Sequence, residues 1–242
     1  MYSEGINMII LEVDNLNKSY EISKTGLFKK KRRKVVGNFS MKIEKGDCIG
    51  LVGDSGCGKS TIARCLVNIE TPDCGTIKID GETIYKKIGH KEEINMYSEL
   101  DIKKKIQIIL QDSYASLNPK KRIGEMITDA ILIHEKDLKI EKAEERVKAY
   151  LELCGLRSEY YDRYPHELSG GQRQRVCIVR ALVLKPEIII CDEITSALDV
   201  SVQAKILNLM LDMKEKFNLT YIFISHDKDV VECFCNKIIK LQ

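Results

Sequence analysis

At 242 residues, 44% of them hydrophobic, the chain is long enough for one domain with a sizeable core and a large insertion. Its 39 basic and 36 acidic residues leave a formal charge of +3, so bulk charge argues neither for nor against a nucleic-acid partner, and no apolar run approaches the ~20 residues that cross a bilayer. Nine scattered cysteines without repeated metal-ligand spacing, and an N-terminus without the charged start and apolar middle of a signal peptide, lead us to expect reduced thiols in a cytosol and a peripheral place in any membrane assembly.

Short apolar segments alternate with helical patterns, which predicts an α/β fold with a parallel sheet. Ile9 to Val13 reads as the first strand. Gly26, Leu27 and Phe28 then lead into the basic run Lys29 to Lys34, expected to be an exposed hairpin loop. Strand Cys48 to Val52 precedes helix Ser60 to Asn68, and Thr76 to Ile79 is the next strand. The charged segment Tyr85 to Lys105 is expected to be a surface loop with one helix, followed by strand Ile106 to Leu110. Helices are predicted at Ile123 to His134, Ile140 to Leu153 and Gly171 to Val183. So many consecutive helices do not fit a simple alternating unit, so a helical subdomain is expected at 112–180, inserted into a core of 1–111 and 181–242. Strand Ile188 to Cys191, helix Ser201 to Phe217, strand Tyr221 to Ile224, a helix carrying Cys233 and Cys235, and strand Lys237 to Leu241 complete the chain.

Two motifs carry chemistry on their own. Gly53, Asp54, Ser55, Gly56, Cys57, Gly58, Lys59, Ser60 and Thr61 match G-x-x-x-x-G-K-[ST] between a predicted strand and a predicted helix. Glycines are needed there because backbone N–H groups must converge on phosphate oxygens, an approach a Cβ blocks. Lys59 is expected to reach the β and γ phosphates and Ser60 to offer its hydroxyl to Mg²⁺, with the helix N-terminus facing the anion. The apolar strand Ile188 to Cys191 ends in Asp192 and Glu193, at the same sheet edge on which the phosphate loop opens. Asp192 suits Mg²⁺ binding, and Glu193 suits polarising a water for attack on the γ-phosphorus.

Leu168, Ser169, Gly170, Gly171 and Gln172 spell LSGGQ. Together with the phosphate loop and the Asp192–Glu193 pair, this resembles the nucleotide-binding subunit of ATP-binding cassette (ABC) proteins over almost the whole chain. The resemblance implies a P-loop NTPase (RecA-like) core, an N-terminal antiparallel β subdomain and an inserted α-helical subdomain. It also implies an adenine-stacking role for Tyr20 and a Mg²⁺-ligating role for Gln111 that passes motion to the helical subdomain. Ser196, Ala197, Leu198 and Asp199 fall where the family has its D-loop, and the resemblance implies that Asp199 lies at a dimer seam while Ser169 and Gly171 serve the γ-phosphate of ATP bound by a partner subunit. His226 would hold the γ-phosphate and the attacking water. The catalytic set expected on these grounds is Glu193, His226 and Lys59, acting on ATP with Mg²⁺ as cofactor.

The run Gln111, Asp112, Ser113, Tyr114, Ala115, Ser116, Leu117, Asn118, Pro119 is similar to the QDPYASLNP stretch of importers for oligopeptides, dipeptides and nickel. Gly26 to Phe28 and the basic run look like an insertion in the second ATPase of those systems. The expected partners are therefore a second, non-identical ATPase subunit, two membrane-spanning permeases and an extracytoplasmic binding protein, with no nucleic acid, at the cytoplasmic face of the membrane. Ile194 stands where the family usually has proline, an expected loosening of the turn after Glu193. The end at Gln242 lacks the family's final glycine turn and strand, and the expected absence of the long C-terminal extension of many peptide-importer ATPases tilts the expected cargo slightly toward nickel or a chelated metal. The alternative is a soluble ABC-type ATPase acting on nucleic acid or ribosomes. It fits less well, because about 110 residues of non-heptad sequence separate the two glycine motifs and the chain holds one cassette.

Overall fold

A computed structural model describes residues 8–22, 31–89, 91–93, 99–196 and 198–241. Its two five-stranded sheets differ in kind. The antiparallel sheet has the order β2-β1-β4-β5-β6, formed by β1 (Ile9–Ile22), β2 (Lys31–Glu44), β4 (Cys74–Ile79), β5 (Glu82–Ile88) and β6 (Lys91–Glu93). The second has the order β10-β3-β9-β8-β7, formed by β3 (Cys48–Val52), β7 (Ile106–Ile109), β8 (Ile188–Asp192), β9 (Thr220–Ile224) and β10 (Lys237–Lys240), and every pairing in it is parallel.

Burial follows from these two arrangements. Strands β3, β8 and β9 are buried at every residue, as a parallel sheet covered on both faces requires. Their side chains alternate between two cores with period two. Ile188, Ile190, Ile222 and Ile224 face the core shared with α1 (Lys59–Leu66) and the antiparallel sheet. Ile189, Cys191, Tyr221 and Phe223 face the core built by α3 (Ile123–His134), α4 (Ile140–Leu153), α5 (Gly170–Leu182), α6 (Val200–Phe217) and α7 (Lys228–Phe234). The parallel sheet is thus the shared wall between an antiparallel layer and a helical layer, and its carboxyl edge lies between them.

Three sequence expectations are corrected. Tyr85 to Lys105 is not mainly a surface loop: its first part continues β5 and β6, and α2 (Glu99–Lys105) ends it. Ile84 and Tyr85 are buried, and the Tyr85 hydroxyl donates to the Pro72 carbonyl at 2.7 Å, so the charged exterior of this hairpin hides an inward apolar face. Lys31 to Lys34 is strand, paired with Ser19 to Ile22 of β1, and Arg32 reaches Asp73 at 2.8 Å; positions 26–30 of the same expectation lie outside the described residues. Ile194 does not loosen its turn: it is 2% exposed and packs into the helical-side core. Cys233 lies on α7 and is exposed, whereas Cys235 caps its C-terminal end.

Candidate active site

The phosphate loop runs from the end of β3 into α1. Gly58 sits at φ +102°, where a Cβ would come within 2.8 Å of the Val35 carbonyl oxygen, and Gly53 has no room beside Cys57 and the Leu241 carbonyl. Gly56, at φ +82°, has open space around it and is required by its dihedral alone. Gly58 provides no side-chain cap for α1, so the first N–H groups of that helix are left for an anion. Ser55 and Cys57 lie between these glycines, and Thr61 is buried in the first turn. Lys59 is 5% exposed, and its ammonium donates to the carbonyls of Gly53 (2.7 Å) and Asp54 (3.0 Å). A buried cation with carbonyl partners is poised for a phosphate.

Strand β8 delivers the acids to the same edge. Ser60 Oγ donates to Asp192 Oδ1 at 3.0 Å, which brings together two hard oxygen donors from α1 and β8. Burial pushes the Asp192 carboxyl above its usual range, the Ser60 hydrogen bond opposes the rise, and the adjacent Glu193 charge adds to it. A buried carboxylate held against a hydroxyl fits Mg²⁺, whose charge would offset the cost of ionising Asp192. Glu193, one residue on, has φ +50°, a left-handed conformation unusual for a residue with a Cβ. Its amide donates to the Ile224 carbonyl at 2.9 Å, and its carboxylate Oε2 lies 3.6 Å from His226 Nδ1. His226 follows β9, the neighbour of β8, and is largely exposed toward a cavity of about 360 Å³ lined also by Gly53, Ser55 and Lys228.

Gln111 follows β7 and donates from Nε2 to Ser196 Oγ at 3.4 Å. Tyr20, on β1, is half-buried; its hydroxyl lies 3.4 Å from Thr61 Oγ1 and hydrogen-bonds Glu70, so the ring stands beside the helix that follows the phosphate loop. The Glu70 contact had no signal in the sequence, since an isolated acid after a helix has many uses. The bridge through Ser196 was equally hidden, because its partners are 85 residues apart.

The signature motif lies elsewhere. Ser169 caps α5 through a reciprocal capping box: Gln172 N donates to Ser169 Oγ (3.4 Å) and Ser169 N donates to Gln172 Oε1 (2.9 Å). Its hydroxyl proton is left to donate outward. Asp199 caps α6, accepting from Val202 N at 2.9 Å and Ser201 Oγ at 2.8 Å, and these bonds lower its pKa. Gly170, Gly171, Ser169, Asp199, Arg157 and Lys205 line one cavity of about 560 Å³. A Cβ on Gly171 would meet Val202 Cγ1 at 2.7 Å, so this glycine is also fixed by the contact of α5 with α6. Ala197, read with Ser196, Leu198 and Asp199 as the D-loop, lies outside the described residues. The cavity beside Gly53 to Ser55, at the start of the phosphate loop, shares no lining residue with the cavity at the LSGGQ string.

A family model described as ABC transporter matches residues 36–196. The chain is 42% identical to the dipeptide transport ATP-binding protein DppF of Haemophilus influenzae over 96% of this chain and 68% of that protein. Identity to DppF of Escherichia coli is 40% (95% of this chain, 66% of that protein), and to the oligopeptide transport ATP-binding protein AppF of Bacillus subtilis 42% (95% and 68%). The chain therefore spans about two thirds of these relatives' length. Among solved structures, the ATP-binding cassette MJ0796, described as a dimer in a post-hydrolysis state bound to ADP and Pi, matches with a TM-score of 0.79 at 26% identity, covering 96% of this chain and 94% of that one. Among the described residues no helix is long and apolar enough to cross a membrane.

Proposed function

The chain belongs to the ABC transporter family of ATP-binding cassettes, and from that premise we propose that it is the ATP-hydrolysing subunit of a peptide importer whose active sites are completed only by a second ATP-binding subunit. The observation that carries this reading is the separation of its two anion-binding elements. The cavity beside the start of the phosphate loop and the cavity at the LSGGQ string share no residue, which supports a signature that serves a phosphate other than the one this chain binds. The named relatives support the peptide cargo, since they are transport proteins for dipeptides and oligopeptides.

In this reading the N–H groups of the loop and Lys59 hold the phosphates of ATP, and Tyr20 stacks on adenine. Ser60, Asp192 and Gln111 would hold Mg²⁺, which supplies charge neutralisation as the phosphoryl group leaves. Glu193 orients and polarises the attacking water, with His226 beside it to steady the γ-phosphate. Ser169, Gly171 and Asp199 act across the seam on ATP held by the opposite subunit. Rate acceleration comes from positioning and charge stabilisation rather than covalent chemistry. Residues 112–180 transmit the change to two membrane-spanning permeases at the cytoplasmic face of the membrane, and a binding protein delivers cargo from outside.

Affinity capture of the full chain from its own membranes tests the assembly. We expect a second ATPase and two membrane-spanning subunits to accompany it. Recovery of RNA or DNA in their place would replace the transport reading with the nucleic-acid one.

A further inference from the structure

Glu193 is held in the left-handed region at φ +50°, a conformation that a residue with a Cβ adopts only when its surroundings impose it. On one side the restraint is the sheet, through the bond from Glu193 N to the Ile224 carbonyl at 2.9 Å. On the other side it includes Ser196. Ser196 donates to the Glu193 carbonyl oxygen twice, from its amide at 3.2 Å and from its hydroxyl at 3.0 Å. The same hydroxyl accepts from Gln111 Nε2 at 3.4 Å.

We propose that Ser196 is a positioning residue for ATP hydrolysis: its hydroxyl ties the Gln111 amide to the backbone of Glu193 and so sets the aim of the Glu193 carboxylate. This rests on the reading of Glu193 as the residue that orients the attacking water. The chemistry of the carboxamide makes the link useful. Gln111 spends an N–H on Ser196, which leaves its carbonyl oxygen for a cation. One amide can then sense the metal and hold the base at the same time. A hydroxyl donor also suits a carbonyl that already accepts the Ser196 amide, because a carbonyl oxygen has two lone pairs. Displacing a positioned group by about 1 Å can cost a hundredfold in rate, so a bond this close to Glu193 has leverage on turnover. It has little leverage on folding, because Ser196 is exposed and water can replace its hydroxyl.

The test is steady-state ATP hydrolysis by the full chain in its assembled complex, comparing Ser196→Ala, Ser196→Thr and Glu193→Gln. We expect Ser196→Ala to lower kcat roughly ten- to a hundredfold with KM for MgATP within about twofold and thermal unfolding unchanged. Ser196→Thr, which keeps the hydroxyl, should recover turnover to within about threefold of the parent. Combining Ser196→Ala with Gln111→Ala should cost less than the product of the single losses, because both break one chain of bonds. Wild-type kcat in Ser196→Ala, a change confined to KM, or failure of threonine to rescue would each overturn the proposal. If the alanine variant were to unfold, Ser196→Cys, of similar size but a weak donor, carries the same expectation. Full turnover in Glu193→Gln would instead overturn the underlying reading of Glu193, so the two failures are distinguishable.

Discussion

At the scale of single residues the proposed chemistry rests on Lys59 and Glu193, one a buried cation and the other a strained backbone. The Lys59 ammonium is buried against backbone carbonyls, and the Glu193 backbone is left-handed, a strain of order 1–3 kcal/mol of the kind that clusters where function uses it. For Glu193→Gln we expect nucleotide binding to be retained and turnover to fall by at least about a hundredfold, since the amide accepts a hydrogen bond but cannot polarise water as a carboxylate does. Equilibrium binding of a fluorescent ATP analogue and phosphate release measure the two quantities separately. The identities of these residues were legible in the sequence because phosphate binding needs glycines, lysine and a hydroxyl close together along the chain. Their conformations were not. The left-handed Glu193 is bonded to Ile224 and Ser196, and the Tyr20 hydroxyl meets Thr61 and Glu70, partners far away along the chain or set by the turn itself.

At the scale of elements, the join between α5 and α6 is the tightest constraint near the signature. A Cβ on Gly171 would lie 2.7 Å from Val202, whereas one on Gly170 would meet Leu198 at an ordinary 3.8 Å. Gly171→Ala should therefore destabilise the fold by about 1–3 kcal/mol, and Gly170→Ala by less than about 1 kcal/mol. Chemical denaturation of the two variants decides between them. A second junction ties the helical layer to the sheet: Glu135, at the end of α3, accepts a two-pronged pair from Arg146 of α4 (3.0 and 2.8 Å) and a bond from Lys104 of α2 (3.2 Å). Arg146 first, then Lys104, holds the Glu135 carboxyl down to about 2, with burial opposing. Because the folded value is depressed, the junction stabilises fully above the ordinary value of 4.5 and is lost as pH falls from 4.5 toward about 2. Glu135→Gln should cost on the order of 1–2 kcal/mol at pH 7, after allowance for partial exposure, and the gap from the parent should close below pH ~4. A constant gap across pH would remove the ionised carboxylate from this role.

The elements themselves were unevenly legible. Strands β3, β8 and β9 stood out as unbroken apolar runs because both their faces are covered, and α3 and α4 fell on their expected limits because their apolar spacing is regular. The long pair β1–β2 did not stand out, since its register shifts interrupt the alternation on which strand reading depends. Strand β2 also begins in a basic run, and β5 carries charged residues outward while only Ile84 and Tyr85 turn in.

At the scale of the whole molecule, the chain presents two clusters of candidate site residues on different elements. The phosphate loop, Asp192, Glu193 and His226 gather at the carboxyl edge of the parallel sheet. Ser169, Gly171 and Asp199 gather at the starts of α5 and α6, in a separate cavity. The LSGGQ string carried the family resemblance in the sequence, but that the starts of α5 and α6 line one cavity depends on how the two helices pack, which no local pattern specifies. The most direct measurement places Ser169→Arg in this subunit alone, within the assembled complex, and follows nucleotide occupancy and turnover at each ATPase subunit with a photoreactive ATP. If the signature acts on the opposite subunit's ATP, nucleotide binding at this chain's own phosphate loop is retained and turnover at the opposite site is lost. Loss of binding here with the opposite site still active would contradict it.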